Sequence, residues 1–320
     1  VIFLLSSIVD DFLLGGDFVS GEEMARKAGI SRTAVFKRIS AMRTAGYVIE
    51  ASKGLGYKLV PRFDGLLPLE IRMRSRSKQF GASIVAMDCV DSTQNHLRGL
   101  ALSGAPEGTV VVALEQASGK GRMGRSWSSP RGGLWFSLLL RPSLQPRDLP
   151  KLTLLFGVAI AEAVEDLRVK VCLKWPNDLL VGGKKVCGIL METSGEPDRV
   201  EYVLVGVGIN ANFSIMSLPE EVRSKSTTLS EALGKNVDRC GLIARILELS
   251  EGLYSEAQGE GFDNILNAWR SRSCTTGRDV TVISFGNILK GTAVDIDEDG
   301  SLLLETESGR VRVYSGDVIL

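Results

Sequence analysis

The chain has 320 residues, 44% hydrophobic and 24% charged, and its basic and acidic side chains balance to zero net charge. That size suggests two or three domains with ample core, and the composition is that of a globular protein rather than a disordered or fibrous one. A neutral chain can offer nucleic acid only a local patch, and no apolar run reaches the length of a membrane span.

In chain order, Leu4, Leu5, Ile8, Val9, Phe12 and Leu13 recur at helical spacing and predict one amphipathic helix. The start, Val1–Ile8, lacks a basic leader and runs into Asp10 and Asp11, so it reads as a buried helix and not as a signal peptide. Ser20-Gly-Glu-Glu23 is a capping box that opens a second helix through Ala28. Gly29-Ile30 makes a turn, and Ser31 caps a third helix, Arg32 to Ala45, with Val35, Ile39 and Met42 inward. Tyr47–Ala51 and Tyr57–Val60 flank Lys53-Gly54-Leu55-Gly56 as a hairpin, or wing. Helix, short glycine turn and polar-fronted helix make a winged helix-turn-helix. From Gly21 to Lys58, eight basic residues (Arg26, Lys27, Arg32, Lys37, Arg38, Arg43, Lys53, Lys58) face three acidic ones, a local excess suited to DNA phosphates. Ser31, Arg32, Thr33, Lys37 and Lys53 are the candidate DNA contacts; the alternative is a winged helix used for protein contacts.

Residues 63–80 read as a linker whose alternating Arg72, Arg74, Arg76 and Lys78 form a solvated face. Ile84–Val90 is a predicted strand, followed by Asp91-Ser92-Thr93 at the start of a short helix to Leu102. Polar groups at a strand end either cap the helix or hydrogen-bond a small ligand. The strands Thr109–Glu115 and Leu134–Leu140 then enclose Gly119-Lys-Gly121-Arg-Met-Gly124-Arg125-Ser-Trp127. Glycines let a backbone approach a ligand closely, and the interleaved Lys120, Arg122 and Arg125 suit an anion held against it. The G-x-G-x-x-G match is not a dinucleotide fingerprint, because a strand and not a helix follows it; no Walker A loop occurs.

Leu149–Leu167 is a long apolar helix, and Val171–Lys174 is a strand that runs into Trp175-Pro-Asn-Asp178. Leu179–Val181 and Lys185–Thr193 form a hairpin, Tyr202–Asn210 is a further strand, and helices follow near Arg239–Ala257 and Phe262–Ser271. A mixed sheet with helices segregated to it is an α+β domain, assigned to residues 81–273. Lys174, Arg122 and Arg125 leave sheet edges near tight turns, where converging cations suit an anionic transition state. Five dispersed cysteines with no C-x-x-C argue for reduced thiols in the cytoplasm and against a zinc site. The single histidine, His96, belongs on a helix surface, and no metal-ligand set is expected. Residues 274–320 hold five short strand patterns between turns at Phe285-Gly-Asn287, Glu298-Asp-Gly300 and Ser308-Gly309, a small β-barrel.

The run Glu115–Gly133 resembles the biotin loop of biotin protein ligases. Asp91-Ser-Thr93, Lys174-Trp-Pro-Asn-Asp178, Lys185-Val-Cys-Gly-Ile-Leu-Met-Glu192 and Gly206-Val-Gly-Ile-Asn210 are similar to that family's other signatures, in the same order. With residues 1–62 as a winged helix, the whole chain resembles the ligases that double as biotin-operon repressors. One departure is Lys120, where the family often has Arg. The resemblance implies an SH3-like C-terminal barrel and a reaction in which biotin and ATP give biotinyl-5′-AMP, followed by transfer to a lysine of a biotin carboxyl carrier domain. ATP would arrive with Mg²⁺. The resemblance puts Lys174 on the carboxylate and α-phosphate, and Arg122 on the reactive adenylate. It puts Ser92, Thr93, Gln116, Gly119, Lys120, Gly121, Gly206 and Gly208 around biotin, and Arg125, Trp127, Asn177 and Asn210 around the nucleotide. It further implies a homodimer on operator DNA; the glycine loop, whose Gly-rich sequence offers little to bury, is expected to be mobile until it has a ligand to hold. A ligase whose winged helix binds no DNA, and a biotin-sensing regulator without ligase activity, are the alternatives.

Overall fold

The structure is a computed structural model that describes residues 8–62, 64–196, 199–284 and 286–320; Leu4 and Leu5 lie outside that set. Helices α1 (Ile8–Leu13), α2 (Gly21–Ala28) and α3 (Arg32–Thr44) precede the hairpin of β1 (Val48–Ser52) and β2 (Gly56–Val60). Local chemistry sets these boundaries. The Ser20 hydroxyl accepts from the Glu23 amide at 3.0 Å, and Ser31 accepts from Ala34 at 3.1 Å. Gly29 ends α2 with φ 65°, a left-handed conformation that glycine takes without strain. Val9, Leu13, Met24, Val35, Ile39, Met42, Ile49 and Leu59 make a separate small core.

The stretch read as a linker is ordered on a helix of its own, α4 (Pro68–Arg74), with Leu69, Glu70 and Ile71 buried. Its cations are not simply solvated. Arg72 pairs with Asp11 at 3.1 Å and Arg74 with Asp238 at 3.1 Å. The Leu66 amide donates to Cys240 Sγ at 2.9 Å. The chain therefore passes from winged helix to sheet along a packed seam.

The central sheet holds β3 (Ile84–Val90), β4 (Val110–Gln116), β5 (Leu134–Leu140), β6 (Cys172–Lys174), β7 (Asp178–Val181), β8 (Lys184–Glu196) and β9 (Arg199–Ile209), with α5 (Thr93–Leu102) and α6 (Leu149–Glu165) between strands. Its strand order is β3-β4-β5-β9-β8-β7-β6. Strands β3 and β4 run parallel, and the other neighbours are antiparallel. Both faces are covered, which is why β5 is buried along its whole length. Val110, Val112, Phe136 and Leu138 turn to α6 and to α9 (Arg239–Gly259), reached after the short α7 (Glu220–Arg223) and α8 (Leu229–Leu233). Val111 and Leu139, one residue out of phase, turn to Leu97 and Ala101 of α5. His96 is half-buried on α5.

After α10 (Asp263–Arg272), strands β10 (Arg278–Ser284), β11 (Asn287–Ile296), β12 (Leu302–Thr306), β13 (Gly309–Val313) and β14 (Asp317–Ile319) form an antiparallel sheet of order β13-β12-β11-β10-β14. Trp175 ties it to the central sheet: its amide donates to Thr275 Oγ1 at 2.9 Å and its indole to the Gly300 carbonyl at 3.0 Å. The architecture is α+β, with an N-terminal HTH region, a mixed seven-stranded sheet with helices, and a C-terminal antiparallel β domain. Among the described residues no helix is long and apolar enough to cross a membrane.

Candidate active site

Where β4, β5, β8 and β9 end against the N-terminus of α5 there is a cleft of about 250 Å³. Its inner end is a chain of buried polar side chains. Gln116 Oε1 accepts from the Thr93 amide at 2.9 Å, and its Nε2 donates to Ser129 Oγ at 2.8 Å. The Thr93 and Ser137 hydroxyls stand 2.8 Å apart, and Ser137 donates to Gln94 Oε1 at 2.8 Å. Ser92 is buried at the N-cap of α5 without making a capping bond. A buried polar network aimed at a cavity is costly unless each group has a partner, so it suits a ligand rich in amide-like donors and acceptors. Gln94 and Ser137 were not foreseen. Ser137 did carry a signal, as the one polar residue in the run Leu-Trp-Phe-Ser-Leu-Leu-Leu.

The outer end is the glycine loop, folded as a tight hairpin. Gly121 N donates to Arg125 O at 2.7 Å and Trp127 N to Gly119 O at 2.8 Å, around a single 3-10 turn, Arg122–Gly124. A Cβ on Gly119 would lie 2.3 Å from the Trp127 carbonyl, so only glycine fits; Gly119 itself does not border the cleft. Lys120 Nζ donates to Asn95 Oδ1 at 2.6 Å.

Both arginines of the loop turn to the C-terminal domain. Arg122 donates to Ser315 Oγ at 2.9 Å, to the Gly316 carbonyl at 3.3 Å and to Asn177 Oδ1 at 3.1 Å. Burial lowers the Arg122 pKa, opposed by Asp317 and Asp178, and a guanidinium stays charged regardless. Arg125 grips both oxygens of Asp317 at 2.7 and 2.8 Å. The loop's arginines thus hold a carboxylate, a hydroxyl and a carbonyl of the same chain.

Between the two ends stands Trp127. A Cβ on Gly208 would meet its indole nitrogen at 2.5 Å, and one on Gly188 would meet its ring at 2.9 Å. These glycines make room for the indole rather than for a ligand alone. Its Nε1 is buried without a hydrogen-bond partner among the described residues, a donor that an acceptor on a ligand would satisfy. Gly206 likewise makes room for Gln94, whose Oε1 would be 2.8 Å from a Cβ there.

Lys185, at the start of β8, brings its ammonium into the cleft, 5.0 Å from the centre of the Trp127 ring and 2.6 Å from Asp178 Oδ1. Lys174 is not among the residues that border the cleft. It closes β6, the edge strand, opposite Asp178 on β7 and so one strand farther from the glycine loop. Asn177 and Asn210 both border it. Their amide nitrogens are already spent on backbone, Asn177 on Ile189 O at 2.7 Å and Asn210 on Thr227 O at 3.1 Å.

In the winged helix, Arg32, Thr33, Lys37 and Lys53 are exposed, while the Ser31 side chain is spent on its cap. Two of the counted cations are engaged within the domain: Arg38 pairs with buried Asp10, and Arg43, still exposed, donates to the Ile49 carbonyl at 2.7 Å. The electrostatic front is thus narrower than the sequence count.

Comparison with known proteins follows the same division. Residues 86–210 match the biotin/lipoate A/B protein ligase family, residues 275–320 the biotin protein ligase C terminal domain and residues 7–58 an HTH domain. The chain is 40% identical over 308 residues to the bifunctional ligase/repressor BirA of Bacillus subtilis (strain 168), covering 96% of this chain and 95% of that protein. Against BirA of Escherichia coli (strain K12) it is 30% identical over 309 residues, covering 96% and 94%. The biotin protein ligase from Aquifex aeolicus, solved in complex with biotin and ATP, superposes with a TM-score of 0.66 at 32% identity, over 74% of this chain and 98% of that one. Identity of that order across nearly the whole length, with the ligase sheet, C-terminal β domain and HTH region in the same succession, makes this chain a member of the biotin protein ligase family, in the branch named bifunctional ligase/repressor.

Proposed function

We propose that this protein joins biotin to ATP as biotinyl-5′-AMP, transfers the biotinyl group to a lysine of a biotin carboxyl carrier domain, and as a biotinyl-AMP-loaded homodimer represses transcription from operator DNA. The observation that carries the ligase reading is the cleft itself: a buried amide and hydroxyl network at one end, and Lys120, Arg122, Arg125 and Lys185 gathered at the other. An uncharged cyclic urea fits the first end and a chain of phosphates the second. In the first step a biotin carboxylate oxygen attacks the α-phosphorus and pyrophosphate leaves. Two anions meet, so fixed cations must offset their repulsion. Lys185 suits the contact to carboxylate and α-phosphate better than Lys174 does, because its ammonium faces the cleft, paired with Asp178. Arg122, with Arg125 beside it, suits retention of the adenylate. In the second step the acceptor amine attacks the acyl carbon, AMP leaves, and the amine gives up a proton. The cleft carboxylates Asp178 and Asp317 are already engaged by Lys185 and Arg125, so Mg²⁺ fits best as an ion carried in on the phosphates of ATP.

The test is incubation of the protein with ATP, labelled biotin and a carrier domain. Label should appear on the carrier, and pyrophosphate only when biotin is present. ATP-independent labelling, or none, would overturn the reading.

The repressor half makes its own prediction. Biotinyl-AMP gives the loop cations a new anion, and if the ordered loop favours dimerisation, ligand and dimer are linked reciprocally, by about 1–3 kcal/mol for a usable switch. Two winged helices on one dimer would then meet two half-sites and steepen the salt dependence of binding. Sedimentation and operator titration at one fixed salt concentration, with and without biotinyl-AMP, should both shift by roughly 5–150-fold. Equal values in both conditions would leave an enzyme without a ligand-controlled repressor.

A further inference from the structure

Helix α3 has an unusual outer face. Val35, Ile39 and Met42 are buried, and Arg32, Thr33, Phe36 and Lys37 are exposed, with Ser40 half-buried beside them. At 3.6 residues per turn, Phe36 sits about 40° round from Arg32, Ser40 about 80°, Thr33 about 100° and Lys37 about 140°. Phe36 thus falls inside an arc bounded by two cations, the residue 57% exposed. Of the other cations of the helix, Arg38 is drawn to Asp10, while Arg43, exposed at the far end of the same face, donates to the Ile49 carbonyl. An aromatic ring there adds nothing to the winged-helix core, and a surface that met only phosphates would have no use for it.

Resting on the DNA-binding reading above, we propose that Phe36 is a base-reading residue that packs on the C5-methyl of thymine in the major groove. The complementarity is specific. Arg32 and Lys37 bracket the ring as cations do that grip phosphates on either side of a groove, and the residues lie in the first half of the second HTH helix, the part that reaches base edges. Thymine is the base that offers an apolar group in the major groove.

The test begins with duplexes selected from a random-sequence pool by the full protein in the presence of biotin and ATP. Each thymine of the selected site is then replaced by uracil, which removes one methyl and no hydrogen-bonding group. One or two positions per half-site should weaken binding about fourfold, the effect of one buried methyl group. In Phe36→Ala that penalty should vanish while the salt slope stays as in the unaltered protein. In Lys37→Ala the penalty should persist while the slope falls by about one phosphate contact. A flat uracil scan, or an unchanged penalty in Phe36→Ala, overturns the assignment of Phe36. Recovery of no duplex at all overturns the DNA-binding reading beneath it, a separate and distinguishable failure. Phe36 is exposed, so the Ala variant should melt as the unaltered protein does.

Discussion

Adenylate formation by Lys185→Ala is expected to fall by about 10²–10³-fold in kcat, the cost of deleting one fixed donor aimed at developing charge. The ammonium stands in the cleft on Asp178 at 2.6 Å, and the loss has two parts. The cation that offsets carboxylate–phosphate repulsion is gone, and Asp178 is left as an extra negative charge facing ATP. Asp178→Asn in the same protein should therefore restore part of ATP binding but not the rate. Stability should fall by about 1–3 kcal/mol, because the buried Asp178 Oδ1 loses its ion partner. Single-turnover pyrophosphate release separates the chemical step from binding. Lys174→Ala is the informative control, since Lys174 lies two strands farther out, on β6. If Lys174→Ala falls as far as Lys185→Ala, the assignment returns to Lys174.

The second large effect belongs to Arg122→Gly. The guanidinium joins the glycine loop to Asn177, Ser315 and Gly316, so it closes the cleft as well as facing its contents. Without it the adenylate should still form but leave faster, by roughly 10–100-fold for the loss of a charge-assisted hydrogen bond. Free biotinyl-AMP acylates any exposed amine. Labelling of bystander proteins should rise with that release rate, while carrier labelling per adenylate formed declines. Label confined to the carrier would show that retention resides elsewhere, with Lys120 or Arg125 the next to test.

The contrast between Lys185 and Lys174 indicates what was legible in the sequence. Helix and strand positions followed from local chemistry, so Ser20, Ser31 and Gly29 announced α2 and α3, and the apolar run of β5, interrupted by Ser137, announced a strand. The glycine loop was legible too, because its spacing is itself the chemistry. Which of two lysines faces a cleft depends on sheet order, a non-local property, and β8 lies between β7 and β9 only once the sheet is assembled. Helix α4 was hidden for a similar reason. Its proline and alternating arginines look like a linker until Asp238, and Cys240 for Leu66 just before it, supply partners more than 160 residues away. The roles of Gly188 and Gly208 needed the position of Trp127, and the front of α3 shrank because Asp10 and Ile49 claim two of its arginines.

The contacts of Arg122 and Arg125 with Ser315, Gly316 and Asp317 have a bearing on biogenesis. They join residues 192 to 194 positions apart, whereas the winged helix has its own core, completed by Leu67 and Leu69 soon after β2. Domains fold as they are synthesised, at about 5–20 residues per second, so roughly 10–40 s separate the emergence of the loop from that of its partners. During that interval the ribosome carries a finished DNA-binding domain and an open, unlatched adenylation cleft. Until Ser315, Gly316 and Asp317 have emerged, the loop arginines lack the partners that close the cleft.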